Sequence, residues 1–206
     1  MSRIRTTLAI TGVLATSLAL AACSSSQPNG GMGGMNNGMN NGNSASATSP
    51  AAKGTFNDQD VMFAQLMVPH HEQAVEMSDM LLKKDGIDAR VVELATQIKA
   101  AQGPEITTMN SWLTQWGASD TGMSGMDHGD SGMMSDSDMT GLDKATGTDA
   151  ARLFLTGMTA HHQGAITMAG TEVTSGKNSA AVALAKKIIS AQKGEIQTMK
   201  GILAGL

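Results

Sequence analysis

Two adjacent histidine pairs, His70-His71 and His161-His162, stand 91 positions apart, and each sits among methionines at helical spacing. Met67 and Met158 precede the pairs by about one turn, and Met77 and Met168 follow them. Imidazole nitrogen combined with thioether sulfur suits copper, and the thioether selects the soft monovalent ion. Cysteine offers no alternative, because Cys23 is the single cysteine and can form neither an internal disulfide nor a thiolate cage. The chain carries 17 methionines in 206 residues against no tyrosine, three phenylalanines and two tryptophans. That is more thioether than a core of this size needs as gap-filler.

The elements that position these donors are duplicated. At an offset of 91, Asp58, Phe63, Met67, Ala74 and Met77 fall on Asp149, Phe154, Met158, Ala165 and Met168. At an offset of 90, Leu94, Ile98, Gln102, Glu105, Ile106, Met109 and Leu113 fall on Leu184, Ile188, Gln192, Glu195, Ile196, Met199 and Leu203. Each copy holds two amphipathic runs split by a turn, Asp85-Gly86 in the first and Ser175-Gly176-Lys177-Asn178 in the second, and therefore reads as a helical hairpin. The periodicity predicts helices over 58–84, 88–116, 149–175 and 179–204. The expected fold is all-α, a four-helix bundle of two repeated hairpins whose stripes pack antiparallel around one core. Gly117–Thr148 is then a long connection outside it. Pro69 and Pro104 fall inside predicted helices, where kinks are expected, while the second copy has Ala160 and Gly194.

At about 100° per residue, His70, His71, Met67, Ala74 and Met77 share one face, and Glu72, Glu76, Asp79 and Lys83 occupy the other. The histidines therefore belong to the stripe that enters the core, where paired imidazoles are costly unless partnered or ligated. The partner helices add Glu105 and Met109, and Glu195 and Met199, to the same stripes. Two readings follow. In one, Met67, His70, His71, Met77, Glu105, Met109 and their counterparts Met158, His161, His162, Met168, Glu195, Met199 are metal donors. In the other, the methionines are core residues and the histidines bond to Glu105 and Glu195. Occurrence of the whole pattern twice favours the metal.

Two alternatives compete with copper. A di-iron or di-manganese oxidase would be built on paired Glu-x-x-His motifs, but Met67 and Met158 stand where those glutamates would be. A metal-free envelope interaction module would satisfy its histidines internally. The chain has no zinc-type cysteine set, phosphate loop or nucleophile triad, so it is expected not to be an enzyme.

The segment between the hairpins adds Met123-Ser124-Gly125-Met126-Asp127-His128, Met133-Met134 and Met139. This run is similar to the Met-x-Gly-Met-Asp-His runs of periplasmic copper-resistance proteins, and Met123, Met126 and His128 are candidate donors. Flexible thioethers can gather around a soft ion without a preformed cage.

The first 22 residues read as a signal peptide, with basic Arg3 and Arg5 and an apolar run from Leu8 to Leu20 too short to span a bilayer. Leu20-Ala21-Ala22-Cys23 resembles a bacterial lipobox, which makes Cys23 the acylated first residue of the mature chain. Residues 23–54 are rich in Gly, Asn, Ser and Met and form a flexible tether, including Met32, Met35 and Met39. Residues 55–206 are the duplicated domain: hairpin 1 over 55–116, the spacer over 117–148 and hairpin 2 over 149–206. Without Arg3 and Arg5, 12 basic residues face 18 acidic ones. A net charge of that sign excludes nucleic acid as a partner.

Met67-Val68-Pro69-His70-His71-Glu72-Gln73-Ala74-Val75-Glu76-Met77, with Gln102-x-x-Glu105-Ile106-x-x-Met109, resembles the domain-of-unknown-function 305 family, which includes copper-binding members. Met158 to Met168 resembles the same motif again. The resemblance covers about residues 58–206 and implies a ferritin-like four-helix bundle and, for the copper-binding members, envelope copper handling. Glu72 and Glu76 become Gln163 and Thr167 in the second copy, which leaves those carboxylates outside the shared donor set. The resulting expectation is a copper-binding lipoprotein, favouring Cu(I), held at the extracytoplasmic face of the cell membrane by Cys23, which sequesters copper or passes it to a partner the sequence does not identify.

Overall fold

The computed structural model describes residues 54–118 and 132–206, which form five helices and no strand. These are α1 (Asp58–Leu82), α2 (Ala89–Trp116), α3 (Asp136–Lys144), α4 (Gly147–Ser175) and α5 (Ser179–Leu203). Four of them fall where the periodicity predicts them, to within two residues at each end. Their starts are capped by short polar side chains. Asn57 and Asp60 make a reciprocal capping box on α1, Asp88 accepts from the Arg90 amide on α2, and Asn178 accepts from the Ala180 and Ala181 amides on α5. Gly117 ends α2 in the left-handed region at φ 69°, a conformation that needs no Cβ. Helices α1 and α4 hold the histidines, and α1 runs unbroken through Pro69 as α2 does through Pro104.

Helices α1 and α2 form the first hairpin and α4 and α5 the second, and the hairpins meet chiefly through α1 against α4, while α2 and α5 touch little. The expected single core is in fact two. One apolar cluster joins the C-terminal half of α1 to the N-terminal half of α4, with Met77, Leu81, Ile98, Leu155, Met158 and Met199 at its centre. The other joins the N-terminal half of α1 to the C-terminal half of α4, around Phe63, Met67, Met109, Trp112, Ala165 and Ile188. This pairing of halves makes α1 and α4 antiparallel and gives the duplicated chain an approximate two-fold relation. What splits the core is a polar layer, which the buried residues His70, His71, Gln102, Glu105, His161, His162 and Gln192 define.

The connection between the hairpins is not wholly outside the bundle. The Gly and Ser content of 117–148 hides a helix, α3, nucleated by a second capping box between Ser135 and Asp138. Its Leu142 is completely buried in the first cluster, and Met134 and Met139 pack against the same cluster. Nine residues with a single buried apolar anchor give too short a period to stand out from a polar background.

A second buried polar knot ties the start of α1 to the α4–α5 turn. The Asp60 carboxylate accepts from the backbone amides of Asn57 (2.7 Å), Lys177 (3.1 Å) and Asn178 (2.8 Å). Beside it lies Glu172, also fully buried, with no donor in ordinary hydrogen-bond geometry at either carboxyl oxygen. Burial, and then the Asp60 carboxylate accepting from it and repelling its charge, push Glu172 up to about 8, with Gln59 acting weakly the other way. Gly176 makes room for this arrangement, since a Cβ there would lie 2.2 Å from Glu172 Oε1.

Candidate metal centre

The residues of the polar layer reach it because of helical spacing alone. His70 and His71 sit mid-way along α1 on its buried stripe, His161 and His162 occupy the same place on α4, and all four are completely buried. The antiparallel crossing of α1 and α4 brings the first residue of each pair together: the His70 and His161 rings lie 3.6 Å apart between centroids, tilted by 35°. The second residue of each pair turns to its own hairpin partner. His71 Nε2 is 3.1 Å from Glu105 Oε2 on α2, and His162 Nε2 is 2.6 Å from Glu195 Oε2 on α5.

The expectation that histidines bond to Glu105 and Glu195 is thus met for His71 and His162, and His70 and His161 are placed otherwise. Neither ring nitrogen of His161 has a hydrogen-bond partner of ordinary geometry, and Nδ1 of His71 and of His162 is likewise buried without one. Burial, followed by the neighbouring His70, His162 and His71, pushes His161 well below the usual imidazole range, against a small opposing effect of the His70 backbone. A neutral imidazole is the form that ligates metal. Burial raises Glu105, but its bond to His71, the electrostatic pull of that imidazole and the nearby Lys187 outweigh this and hold it below the usual carboxylate value. Lys187 Nζ stands 3.4 Å from Glu105 Oε1.

Of the predicted thioether donors, Met67, Met77, Met109, Met158 and Met199 are completely buried and Met168 is partly buried. The structure regroups them. Met67 and Met77 share a stripe but are ten residues, about 15 Å, apart along α1, too far to serve one ion. Met77 joins Met158 and Met199 of the second copy in one cluster, while Met168 joins Met67 and Met109 of the first copy in the other. Each apolar cluster, one on either side of the histidine layer, therefore contains three of these thioethers, two from one copy and one from the other. Met80, Met134 and Met139 add further sulfur to the first side only.

Glu72 and Glu76 are exposed, on the face opposite the histidines. Gln102 and Gln192, repeated in both copies, are buried in the layer with amide oxygens lacking a partner, and the repeat was the signal that could have put them among the candidate donors. Met123, Met126 and His128, together with Cys23 and the signal and tether segments, lie outside the described residues. Among the described residues no three of His, Cys, Asp and Glu converge as a metal-binding group. No described helix is long and apolar enough to cross a membrane.

The family profile described as domain of unknown function (DUF305) matches residues 60–203. A DUF305 fragment from Deinococcus radiodurans is 31% identical with a TM-score of 0.67, over 73% of this chain and 98% of that one. A DUF305 protein from Streptomyces coelicolor is 33% identical with a TM-score of 0.66, over 75% and 94%. CopM in its Cu(II)-bound form is 31% identical with a TM-score of 0.62, over 71% and 96%, and has also been solved with Cu(I) and with silver. No curated protein matches the sequence.

Proposed function

The chain belongs to the DUF305 family, and from that premise we propose that it binds copper between its two hairpins and sequesters the ion or passes it on. The observation that carries this reading is His161, neither of whose buried ring nitrogens has a hydrogen-bond partner of ordinary geometry, beside three other buried imidazoles. Leaving such groups unsatisfied costs about 1–3 kcal/mol each, so an arrangement that repeats them needs a compensating ligand. A metal ion supplies it. The methionine triads on both sides of the layer make the donor set soft, which favours Cu(I) over Cu(II). The likeness to CopM, solved with both oxidation states, supports the same assignment.

Glu105 and Glu195 take the role of orienting groups. By accepting from Nε2 of His71 and His162 they fix the tautomer that leaves Nδ1 as the free donor atom. Copper is cargo in this reading, and the protein is not an enzyme. Export by the signal peptide and acylation of Cys23 would hold it on the extracytoplasmic face of the cell membrane, where it would meet a recipient for the ion.

The di-iron alternative would require Glu-x-x-His pairs. Met67 and Met158 instead precede the histidines, and the two carboxylates at the layer are each engaged by an imidazole. Elemental analysis of protein purified from medium supplemented with copper, iron and manganese separates the readings. Copper in stoichiometric amount is the expected result; iron or manganese would establish the oxidase reading, and no metal would establish the interaction module.

A further inference from the structure

The four histidines of the layer are completely buried, so an ion can reach them only if some element moves, and one element is built differently in the two halves of the molecule. Residues Gly132–Met134 lie across the groove between α1 and α4, one turn from the His70–His161 contact. On the α1 side, Gln73 grips the strap with both ends of its amide: Gln73 Nε2 donates to the Met134 carbonyl at 2.9 Å, and the Met134 amide donates to Gln73 Oε1 at 2.8 Å. On the α4 side the strap sits directly on the backbone. A Cβ on Gly132, whose φ is 73°, would lie 2.2 Å from the Ala160 carbonyl oxygen and 3.3 Å from His161 Cα.

The helix beneath is notched to receive it. A Cβ on Gly157 would lie 2.7 Å from Met134 Sδ, so the absent side chain leaves the room that Met134 occupies. The approximate two-fold relation supplies the comparison. Gln73 and Gly157 correspond, at the offset of 91, to Gly164 and Leu66. The other half thus has neither the amide that latches nor the notch that receives, and a leucine occupies the place of the notch. Between the strap and α4 a surface cavity of about 270 Å³ remains, lined in part by Met133, Met134, Asp138, Thr156 and Ala160.

We propose that Gly132–Met134 is a latched strap over the α1–α4 groove, and that lifting it is the step by which a soft monovalent cation reaches the buried histidines. The proposal rests on the copper reading above. The strap is suited to this because, among the described residues, it is held by two Gln73 bonds, the packing of Met134 and the backbone contact of Gly132 with Ala160, whereas unpacking the helices themselves would expose both apolar clusters. Opening it leaves the bundle closed.

The test uses the full chain and its Gln73→Leu and Gly132→Ala variants, with Gln97→Leu on the exposed face of α2 as a control. Gln73→Leu removes both latch bonds, and Gly132→Ala forces a Cβ against Ala160. Two rates are read: carbethoxylation of the layer's histidines in metal-free protein, located by mass spectrometry, and uptake of Cu(I) from a chromogenic chelator. Both rates should rise at least about tenfold in each strap variant, corresponding to about 1.4 kcal/mol, with the bound copper at equilibrium unchanged. Hydrogen exchange of α2 and α5 should stay as in the wild type. Unchanged rates, or rates that rise only in step with faster exchange of α2 and α5, overturn the proposal. Should no variant or wild type take up Cu(I) while histidine carbethoxylation still accelerates in the strap variants, the strap stands as the access route and the copper reading fails.

Discussion

The rings of His70 and His161 lie 3.6 Å apart across the contact between α1 and α4, one from each copy of the repeat. This contact divides the four histidines into two kinds. His71 and His162 are engaged by carboxylates, whereas His161 is buried without a hydrogen-bond partner of ordinary geometry, and the two kinds should respond oppositely to substitution. His161→Leu removes an uncompensated polar group and should leave metal-free stability unchanged or raised, while abolishing most of the stabilisation by copper. His71→Leu strips Glu105 of its imidazole partner and should cost about 1–3 kcal/mol without metal. A ligand at 100 times its dissociation constant stabilises by about 2.7 kcal/mol, so melting curves with and without copper measure both effects. If His161→Leu loses as much stability without copper as with it, that histidine is structural.

The regrouping of methionines makes a second test. With sites on either side of the layer, replacing Met67, Met109 and Met168 by Leu should eliminate one class of tight Cu(I) site and spare the other. Replacing Met67, Met77 and Met109, all from the first copy, should damage both. Affinity at each damaged site should fall by more than about tenfold, with a smaller effect on Cu(II). Leucine keeps volume and apolarity, so the fold should survive. Titration against a chromogenic Cu(I) chelator under reducing conditions distinguishes the two sets, and equal behaviour would show that the triads are not separate sites.

Glu172 predicts a pH dependence. Its folded value is raised to about 8 from 4.5, so the native state keeps a proton that the unfolded chain has lost. That contribution to stability is fully present below about 4.5 and disappears as pH rises through 8. Glu172→Gln should abolish this decline and make the protein more stable than wild type above pH 8 by at least about 1 kcal/mol, because a proton held across a single pH unit contributes about 1.4 kcal/mol. Urea unfolding at pH 5, 7 and 9 measures the slope; parallel curves for the two proteins would show that Glu172 does not hold a proton.

Leu142 is the one buried residue of α3. Leu142→Ala should cost about 2–4 kcal/mol in chemical denaturation, because the cavity opens in a cluster already fixed by four other helices. A loss below about 0.5 kcal/mol, the usual range for surface substitutions, would mean that α3 is not part of the folded core.

Cys23→Ala tests the anchor independently of the metal. The variant should leave the membrane fraction after export, since a lipoprotein's several acyl chains are what hold it there. Persistence in the membrane would refute acylation at this position.

The duplicated pattern of donors and apolar residues was enough to determine four helices, their pairing into hairpins, and the burial of both histidine pairs. Each of these depends on spacing within one element, which a 3.6-residue period records directly. The division of labour inside each histidine pair was not legible. His70 and His71 look alike from the sequence, and only the crossing of α1 over α4 sends one ring to the opposite copy and the other to Glu105. The methionine grouping is hidden for the same reason: Met77 is closer in sequence to Met67 than to Met158, but antiparallel packing sets it beside Met158. Helix α3 and the strap before it were concealed by composition, because Gly132 belongs to a Gly-rich stretch that reads as a connection outside the bundle and acts as a close contact. Spacing fixes which face a residue occupies; what stands opposite that face is decided only when the helices pack.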